Sequence, residues 1–144
     1  MKTNLVFIDN RLSIVEKVSE VGFEAIHGDY FDEALKISRH VLCTASNRSF
    51  TYGGGLDRHF LENFPLYCSE KQKRTGTNER IGNICFVISV NGNLQANDEL
   101  VREALTFARD NTFEGETLCL SGIGTGIGFL NETRFVEILQ EVFN

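Results

Sequence analysis

The stretch HVLCTASNRSFTYGGGLDRHFLENFP, residues 40–65, joins an apolar segment to an amphipathic one through a run of three glycines. A second stretch, TLCLSGIGTGIGFLNETRFVEIL at residues 117–139, has the same design with four glycines. Both apolar segments are short, rich in Val, Leu or Cys, and bounded by polar residues, which is typical of buried β-strands. Each stretch therefore predicts a strand, a glycine-rich loop and a helix in succession.

The rest of the chain alternates strand and helix patterns in the same way. Further strands are predicted at residues 4–8, 23–27 and 84–90, and further helices at residues 12–21, after Asn97 or Asp98, and from about Asn131. This order predicts one α/β domain over residues 1–144, a three-layer α/β/α sandwich with a central mixed sheet. Residues 67–83 are too polar for a core, so we expect a surface excursion there, with a short strand near residues 79–81.

The composition limits the range of partners. The chain has 144 residues and a formal net charge of −6, whereas a nucleic-acid or anionic-membrane surface needs clustered Lys and Arg. The one basic run, residues 71–74, is interpreted as a solvated loop. The first residues lack the apolar core and cleavage site of a signal peptide, and no apolar run approaches the ~20 residues that span a bilayer. We expect a cytoplasmic protein without nucleic-acid or membrane partners, and the oligomeric state stays open.

The four cysteines form no pattern of metal ligands. Cys43, Cys68, Cys85 and Cys119 include no CxxC pair and no cluster with histidine. Three of them, Cys43, Cys85 and Cys119, lie in apolar segments, where a free cysteine behaves as a small buried hydrophobe. We therefore expect a reducing compartment, no metal site and no cofactor.

The glycine clusters predict an anion site. Glycine lets the backbone approach a ligand closely, and the helix that follows offers unpaired N–H groups and the positive end of its dipole. Two such loops at the carboxyl ends of neighbouring strands would suit a diphosphate. A dinucleotide-binding fingerprint would need another strand after GIGTGIG, but only a terminal helix follows. A Walker motif would need a Lys-Ser/Thr pair, which neither loop has.

These residues together resemble the macro-domain family. The strand that ends in Asn47, the glycine run and Asp57 are similar to the first motif of that family, and GIGTGIGF is similar to its phosphate-wrapping loop. The sequence GDYF, from Gly28, resembles the Gly-Asp turn that precedes the first motif. The resemblance covers residues 28–65 and residues 117–144 and implies a macro-domain fold that binds ADP-ribose.

The resemblance also implies roles for individual residues. Asp29 would accept a hydrogen bond from the adenine amino group, Asn47 would hold the distal ribose, and Asp57 would orient or deprotonate a water molecule. The glycine loops would bind the diphosphate. The implied ligand-contacting positions are Asp29, Tyr30, Asn47, Gly53, Gly54, Gly55, Leu56, Gly124, Thr125, Gly126, Ile127, Gly128 and Phe129.

From the residues alone, three of these positions have simpler interpretations. Asp29 could cap a helix that starts near Phe31, Asn47 could form a turn, and Asp57 could interact with a helix dipole. The chain also departs from the family: Thr44 stands where an Asn is frequent, and Leu61 stands where Asp-containing hydrolases often have a His. His59 is two residues from Asp57 and is predicted to face away from it.

Three hypotheses follow. The first is a hydrolase that removes phosphate, an acyl group or a protein side chain from the distal ribose of ADP-ribose, with Asn47 and Asp57 as catalytic residues. The second is a non-catalytic module that binds ADP-ribose or an ADP-ribosylated protein. The third is a nucleotide- or phosphate-binding α/β protein outside the macro-domain family.

Overall fold

The computed structural model describes residues 2–126 and 128–144 as a central six-stranded sheet flanked by helices. The strands lie in the spatial order β2-β1-β6-β3-β5-β4, and only β4 runs antiparallel to its neighbour. Their bounds are β1 Asn4–Asp9, β2 Glu24–His27, β3 His40–Ser46, β4 Glu79–Ile81, β5 Ile84–Ile88 and β6 Thr117–Leu120. The predicted α/β class with a mixed central sheet is confirmed.

Helices cover both faces of the sheet. Their bounds are α1 Leu12–Glu20, α2 Tyr30–Ala34, α3 Gly55–Asn63, α4 Pro65–Gln72, α5 Asp98–Asp110 and α6 Glu132–Phe143. The buried apolar residues of α1, α5 and α6 form one cluster with the sheet, and those of α2, α3 and α4 form a second. This two-sided core explains the near-continuous apolar strands, since all five residues of β5 are buried.

Side-chain oxygens define where several helices begin. Asn97 accepts a hydrogen bond from the Leu100 N–H at the start of α5, so the cap is Asn97 rather than Asp98. Asn131 accepts from the backbone at the start of α6, as the sequence predicts. Each cap satisfies N–H groups that have no partner within the helix.

The polar segment at residues 67–83 is more integrated than the sequence suggests. Part of it belongs to α4, and the predicted short strand is present as β4. Lys71 is fully buried, and its ammonium donates to Glu79 Oε1 at 3.1 Å and lies over the Phe50 ring. The interpretation of the basic run as a solvated loop is therefore wrong for Lys71, because a carboxylate and a backbone carbonyl compensate its burial.

The order of the strands places a crevice at one edge of the sheet. From β1 the chain crosses to β2 on one side, and from β2 it crosses back over to β3 on the other side of β1 and β6. Ligands of open parallel sheets bind at such switch points, outside the carboxyl ends of the strands. Within the described residues, no helix combines the length and apolarity required to cross a membrane.

Candidate functional site

A cleft of about 640 Å³ opens at the carboxyl ends of β1, β3, β5 and β6. The structure brings both glycine loops to this cleft. The glycines that line it are Gly53, Gly54, Gly55, Gly122, Gly124, Gly126 and Gly128. Its volume lies in the range of pockets that enclose small molecules and cofactors.

The first glycine loop is organised by Asn47. Its Oδ1 accepts hydrogen bonds from the backbone N–H groups of Ser49 and Thr51, and its Nδ2 donates to Thr51 Oγ1 at 3.0 Å. Asn47 therefore has the turn-forming role that the sequence left open, and it also lines the cleft. Below the loop, Phe50 and Tyr52 are buried, which anchors the loop to the second core cluster.

The second glycine loop packs tightly against the start of α5. Gly124 has a φ of +82°, and a Cβ atom there would lie 2.9 Å from Val101 Cγ2. A Cβ atom at Gly128 would lie 2.7 Å from the Gly124 carbonyl oxygen. Only glycine fits both positions without rearrangement. The loop backbone is thus held close to the neighbouring chain at one wall of the cleft.

Asp57 lies in the first turn of α3 and is 8% exposed. The hydroxyl of Thr44 donates to its Oδ1 at 2.9 Å. The hydroxyl of Ser46, also on β3, favours the ionised form of the carboxylate. Burial raises the pKa of Asp57 to about 6, although both hydroxyls act in the opposite direction. Asp57 also lines the cleft. A carboxylate with a pKa near neutrality suits a general base.

A second buried carboxylate, Asp9, stands at the end of β1, where sequence reasoning missed it. Arg11 donates to it through Nε and Nη2, both at 2.9 Å, and the Gly122 N–H donates to its Oδ2 at 3.0 Å. Burial raises the pKa of Asp9, but the Arg11 and Gly122 hydrogen bonds and the Arg11 charge outweigh burial and lower it below the ordinary value. An available signal was its position directly at the end of an apolar strand, on the same sheet edge as the glycine loops.

Asp29 and Tyr30 line the cleft, but their polar atoms make hydrogen bonds within the protein. Asp29 caps α2 by accepting from the Asp32 N–H at 2.9 Å, so the capping interpretation holds. The Tyr30 hydroxyl donates to the Cys119 carbonyl at 2.6 Å and accepts from the Cys43 N–H at 2.9 Å. These bonds occupy the phenol of Tyr30 within the core. Both residues, together with Leu56, line the cleft.

Thr125 and Phe129, unlike the other described positions predicted to contact the ligand, are not among the residues that line the cleft. The Thr125 hydroxyl donates to the Gly122 carbonyl and accepts from Arg11 Nη2, so its hydrogen-bonding capacity serves the loop itself. Phe129 is 85% exposed. Ile127, also predicted to contact the ligand, lies outside the described residues.

His59 is an exposed surface residue, and it also borders the cleft. Helical spacing places it on another face of α3 from Asp57, yet both residues line the cleft. The reason is that α3 begins at the cleft, so residues on different faces of its first turns border the same opening. His59 is exposed, whereas Asp57 is buried.

Potential metal ligands and thiols are spread through the chain. Among residues 2–126 and 128–144, no group of three His, Cys, Asp or Glu residues is arranged to hold a metal ion. All four cysteines are free and buried, including Cys68, for which burial was not predicted. Burial raises the pKa of the Cys68 thiol to about 11, which keeps the thiol protonated and unreactive at neutral pH.

Comparison with known proteins found no matching family model and no matching curated protein.

Proposed function

We propose that the cleft binds ADP-ribose or a close derivative and that the protein hydrolyses a group from the distal ribose. The observation that carries this proposal is the meeting of both glycine loops at one cleft that also contains Asp57. A diphosphate needs several donors on one side, and a hydrolysed bond needs a base nearby. The arrangement offers both within a single opening.

Backbone N–H groups are the proposed diphosphate ligands. The chain has a net charge of −6, so a bound diphosphate must be attracted by local groups. Glycines of both loops border the cleft, and α3 begins at Gly55, which directs the positive end of its dipole toward the same opening. Anions bind at such helix starts because the first N–H groups lack partners within the helix.

The remaining polar groups fit the rest of the ligand. Asp29 uses Oδ2 for the helix cap, and its Oδ1 keeps the capacity to accept a hydrogen bond from the adenine amino group. Asn47 stands beside the first glycine loop, where the one Nδ2 hydrogen that Thr51 does not take would donate to a hydroxyl of the distal ribose. These two roles follow the macro-domain resemblance and are supported by the position of both residues on the cleft.

Asp57 is the proposed general base. A pKa near 6 leaves the carboxylate mostly ionised at neutral pH and still basic enough to take a proton from water. The water would attack the phosphorus or acyl carbon of the substituent, or the anomeric carbon of the distal ribose, and its proton would pass to Asp57. The bond from the attacked atom to the leaving oxygen would break, and that oxygen would leave with the electron pair and take a proton from solvent. The Thr44 hydroxyl donates to the carboxylate, and the Ser46 hydroxyl also favours its ionised form.

Calorimetry with ADP-ribose, ADP, ATP and NAD tests the ligand. We expect ADP-ribose to bind most tightly and the variant Gly124→Val to lose binding, because the added side chain would collide with Val101. Arg102→Gln, which removes only an exposed ion pair with Glu141, serves as the control. Tighter binding of ADP, ATP or NAD would reject ADP-ribose as the ligand and support a nucleotide-binding protein outside the macro-domain family.

A non-catalytic ADP-ribose module is the second candidate, favoured by Leu61 at the position where related hydrolases often have a His. Three substrates separate the two candidates: ADP-ribose 1''-phosphate, O-acetyl-ADP-ribose and a mono-ADP-ribosylated protein. Released phosphate, acetate or ADP-ribose would support the hydrolase. Binding of ADP-ribose without any product above background would leave the non-catalytic module.

A further inference from the structure

Arg11 lies between the end of β1 and the second glycine loop. Its guanidinium bonds Asp9 on one side, and on the other its Nη2 donates to Thr125 Oγ1 at 2.7 Å and approaches the Gly122 carbonyl at 3.5 Å. Because Asp9 also accepts from the Gly122 N–H, the pair ties the loop to the sheet. The side chain of Arg11 is therefore fixed rather than free in solvent.

The hydrogen-bonding pattern leaves one edge of the guanidinium unused. Arginine carries five N–H donors in a planar fork. Asp9 takes one from Nε and one from Nη2, and Thr125 takes the other from Nη2. Within the described part of the chain, nothing accepts a hydrogen bond from Nη1. Arg11 is 35% exposed and lines the cleft, and its two remaining donors are on the edge of the guanidinium that Asp9 and Thr125 do not occupy.

The described residues that line the cleft carry more acidic than basic side chains. Among the described residues that line the cleft, Asp9, Asp29 and Asp57 are acidic, whereas Arg11 is the one Lys or Arg. A dianionic ligand would meet three carboxylates there. Guanidinium groups bind phosphate oxygens through charge-assisted hydrogen bonds, which are about twice as strong as neutral ones. Arg11 is therefore the one guanidinium or ammonium group that the described lining offers to an anion.

We propose that Arg11 is a specificity-determining residue that donates from Nη1 to a phosphate of the ligand while Asp9 and Thr125 hold its other edges. This inference rests on the proposed function, because it assigns a contact within the same cleft. Arg11 selects ligands with a phosphate at the second glycine loop, and it adds a side-chain donor to a diphosphate site otherwise built from backbone N–H groups.

The test compares ligands with and without phosphates. Dissociation constants of ADP-ribose, ADP and adenosine are measured by calorimetry, or by NMR titration where binding is weak, for the wild-type chain, Arg11→Gln, Arg11→Lys and the control Arg102→Gln. We expect Arg11→Gln to weaken ADP-ribose and ADP about tenfold to one-hundredfold, the range for a hydrogen bond to a charged group. Adenosine should stay within about twofold. Arg11→Lys retains the charge but not the fork, so its loss should be smaller.

Two outcomes would overturn the proposal. One is wild-type ADP affinity in Arg11→Gln, and the other is an equal loss for adenosine and ADP, which would reduce Arg11 to a support of the loop. Thermal unfolding of each variant without ligand shows whether the variant still folds. If Arg11→Gln does not fold, the affinities of Arg11→Lys for ADP and adenosine decide whether Arg11 contacts a phosphate. A wild-type chain that binds ADP but not ADP-ribose would reject the proposed function and leave the Arg11 contact measurable with ADP. Failure to bind either diphosphate would reject both.

Discussion

Asp9 and Asp57 lie at the same edge of the sheet with nearly the same exposure, 6% and 8%, yet their pKa values move in opposite directions. Burial acts on both carboxylates and favours the protonated form. Asp9 has a guanidinium and two backbone N–H groups as partners, those of Arg11 and Gly122, whereas Asp57 is faced by the neutral hydroxyls of Thr44 and Ser46. The partners, more than the burial, therefore distinguish Asp9, which is ionised at neutral pH, from Asp57, a carboxylate that can exchange a proton near neutral pH.

The largest effect that this difference predicts is on catalysis by Asp57. Asp57→Asn removes the proposed base but keeps the shape of the side chain, so turnover should fall about 10²- to 10⁴-fold. The affinity for ADP-ribose should change by no more than a few-fold. Product release under single-turnover conditions and calorimetry measure the two quantities. Asp110→Asn, at an exposed position on α5, is the matched control, and undiminished turnover in Asp57→Asn would reject the role.

Removal of Asp9 should instead affect stability. Asp9→Ala leaves Arg11 and the Gly122 N–H without their shared partner, which should cost about 2 to 4 kcal/mol of unfolding free energy. Asp57→Asn should cost far less at pH 7, because it replaces a carboxylate whose ionised form is disfavoured by burial. Urea denaturation compares the two variants. Equal destabilisation would contradict the different roles of the two carboxylates.

The pH dependence of stability should differ in sign between the two groups. The pKa of Asp57 is raised from 3.8 to about 6. Its stabilising contribution to the free energy of unfolding is therefore fully present below pH 3.8 and is lost as the pH rises through about 6. About two pKa units correspond to about 2 to 3 kcal/mol. The pKa of Asp9 is lowered, so its contribution is present above pH 3.8 and is lost as the pH falls through the folded-state value. Unfolding free energies of the wild type and Asp57→Asn from pH 4 to 7 test the first statement, and a constant difference would contradict it.

The smallest predicted effect concerns the hydroxyl that faces Asp57. Thr44→Val removes the donor to Oδ1, so the pKa of Asp57 should rise further. The rising limb of the pH–rate profile, expected near pH 6 in the wild type, should move to higher pH by about one unit. Thr112→Val, at another buried threonine whose hydroxyl donates to the Ala108 carbonyl, is the control. An unchanged profile in Thr44→Val would show that this hydroxyl does not stabilise the ionised base.

The meeting of the glycine loops at one edge of the sheet could be predicted from the sequence, because it depends only on local patterns of apolar and glycine residues. Each loop follows an apolar strand, and the carboxyl ends of parallel strands lie at one edge of a sheet. The side chains behind Asp57 were predictable on the same basis. Thr44 and Ser46 are two residues apart on β3, so they point to the same face. The resemblance to macro domains drew attention to Thr44 only as a departure from the family.

The network around Asp9 could not be predicted in this way. It depends on β6 lying beside β1 with Leu5 opposite Leu118, a pairing of residues far apart in the chain. The burial of Lys71 likewise depends on the position of Glu79 in β4. Local patterns contain no information about such partners, because the partner is fixed by the fold as a whole.

An NMR titration of the backbone amides with ADP-ribose tests the central claim most directly. If the two glycine loops bind one ligand, the amides of Gly53, Gly54, Gly124 and Gly126 should shift together along a single saturation curve. Amides at the opposite end of the sheet, such as that of Gly115, should not move. Shifts confined to one loop, separate curves for the two loops, or no saturation would contradict a shared diphosphate site.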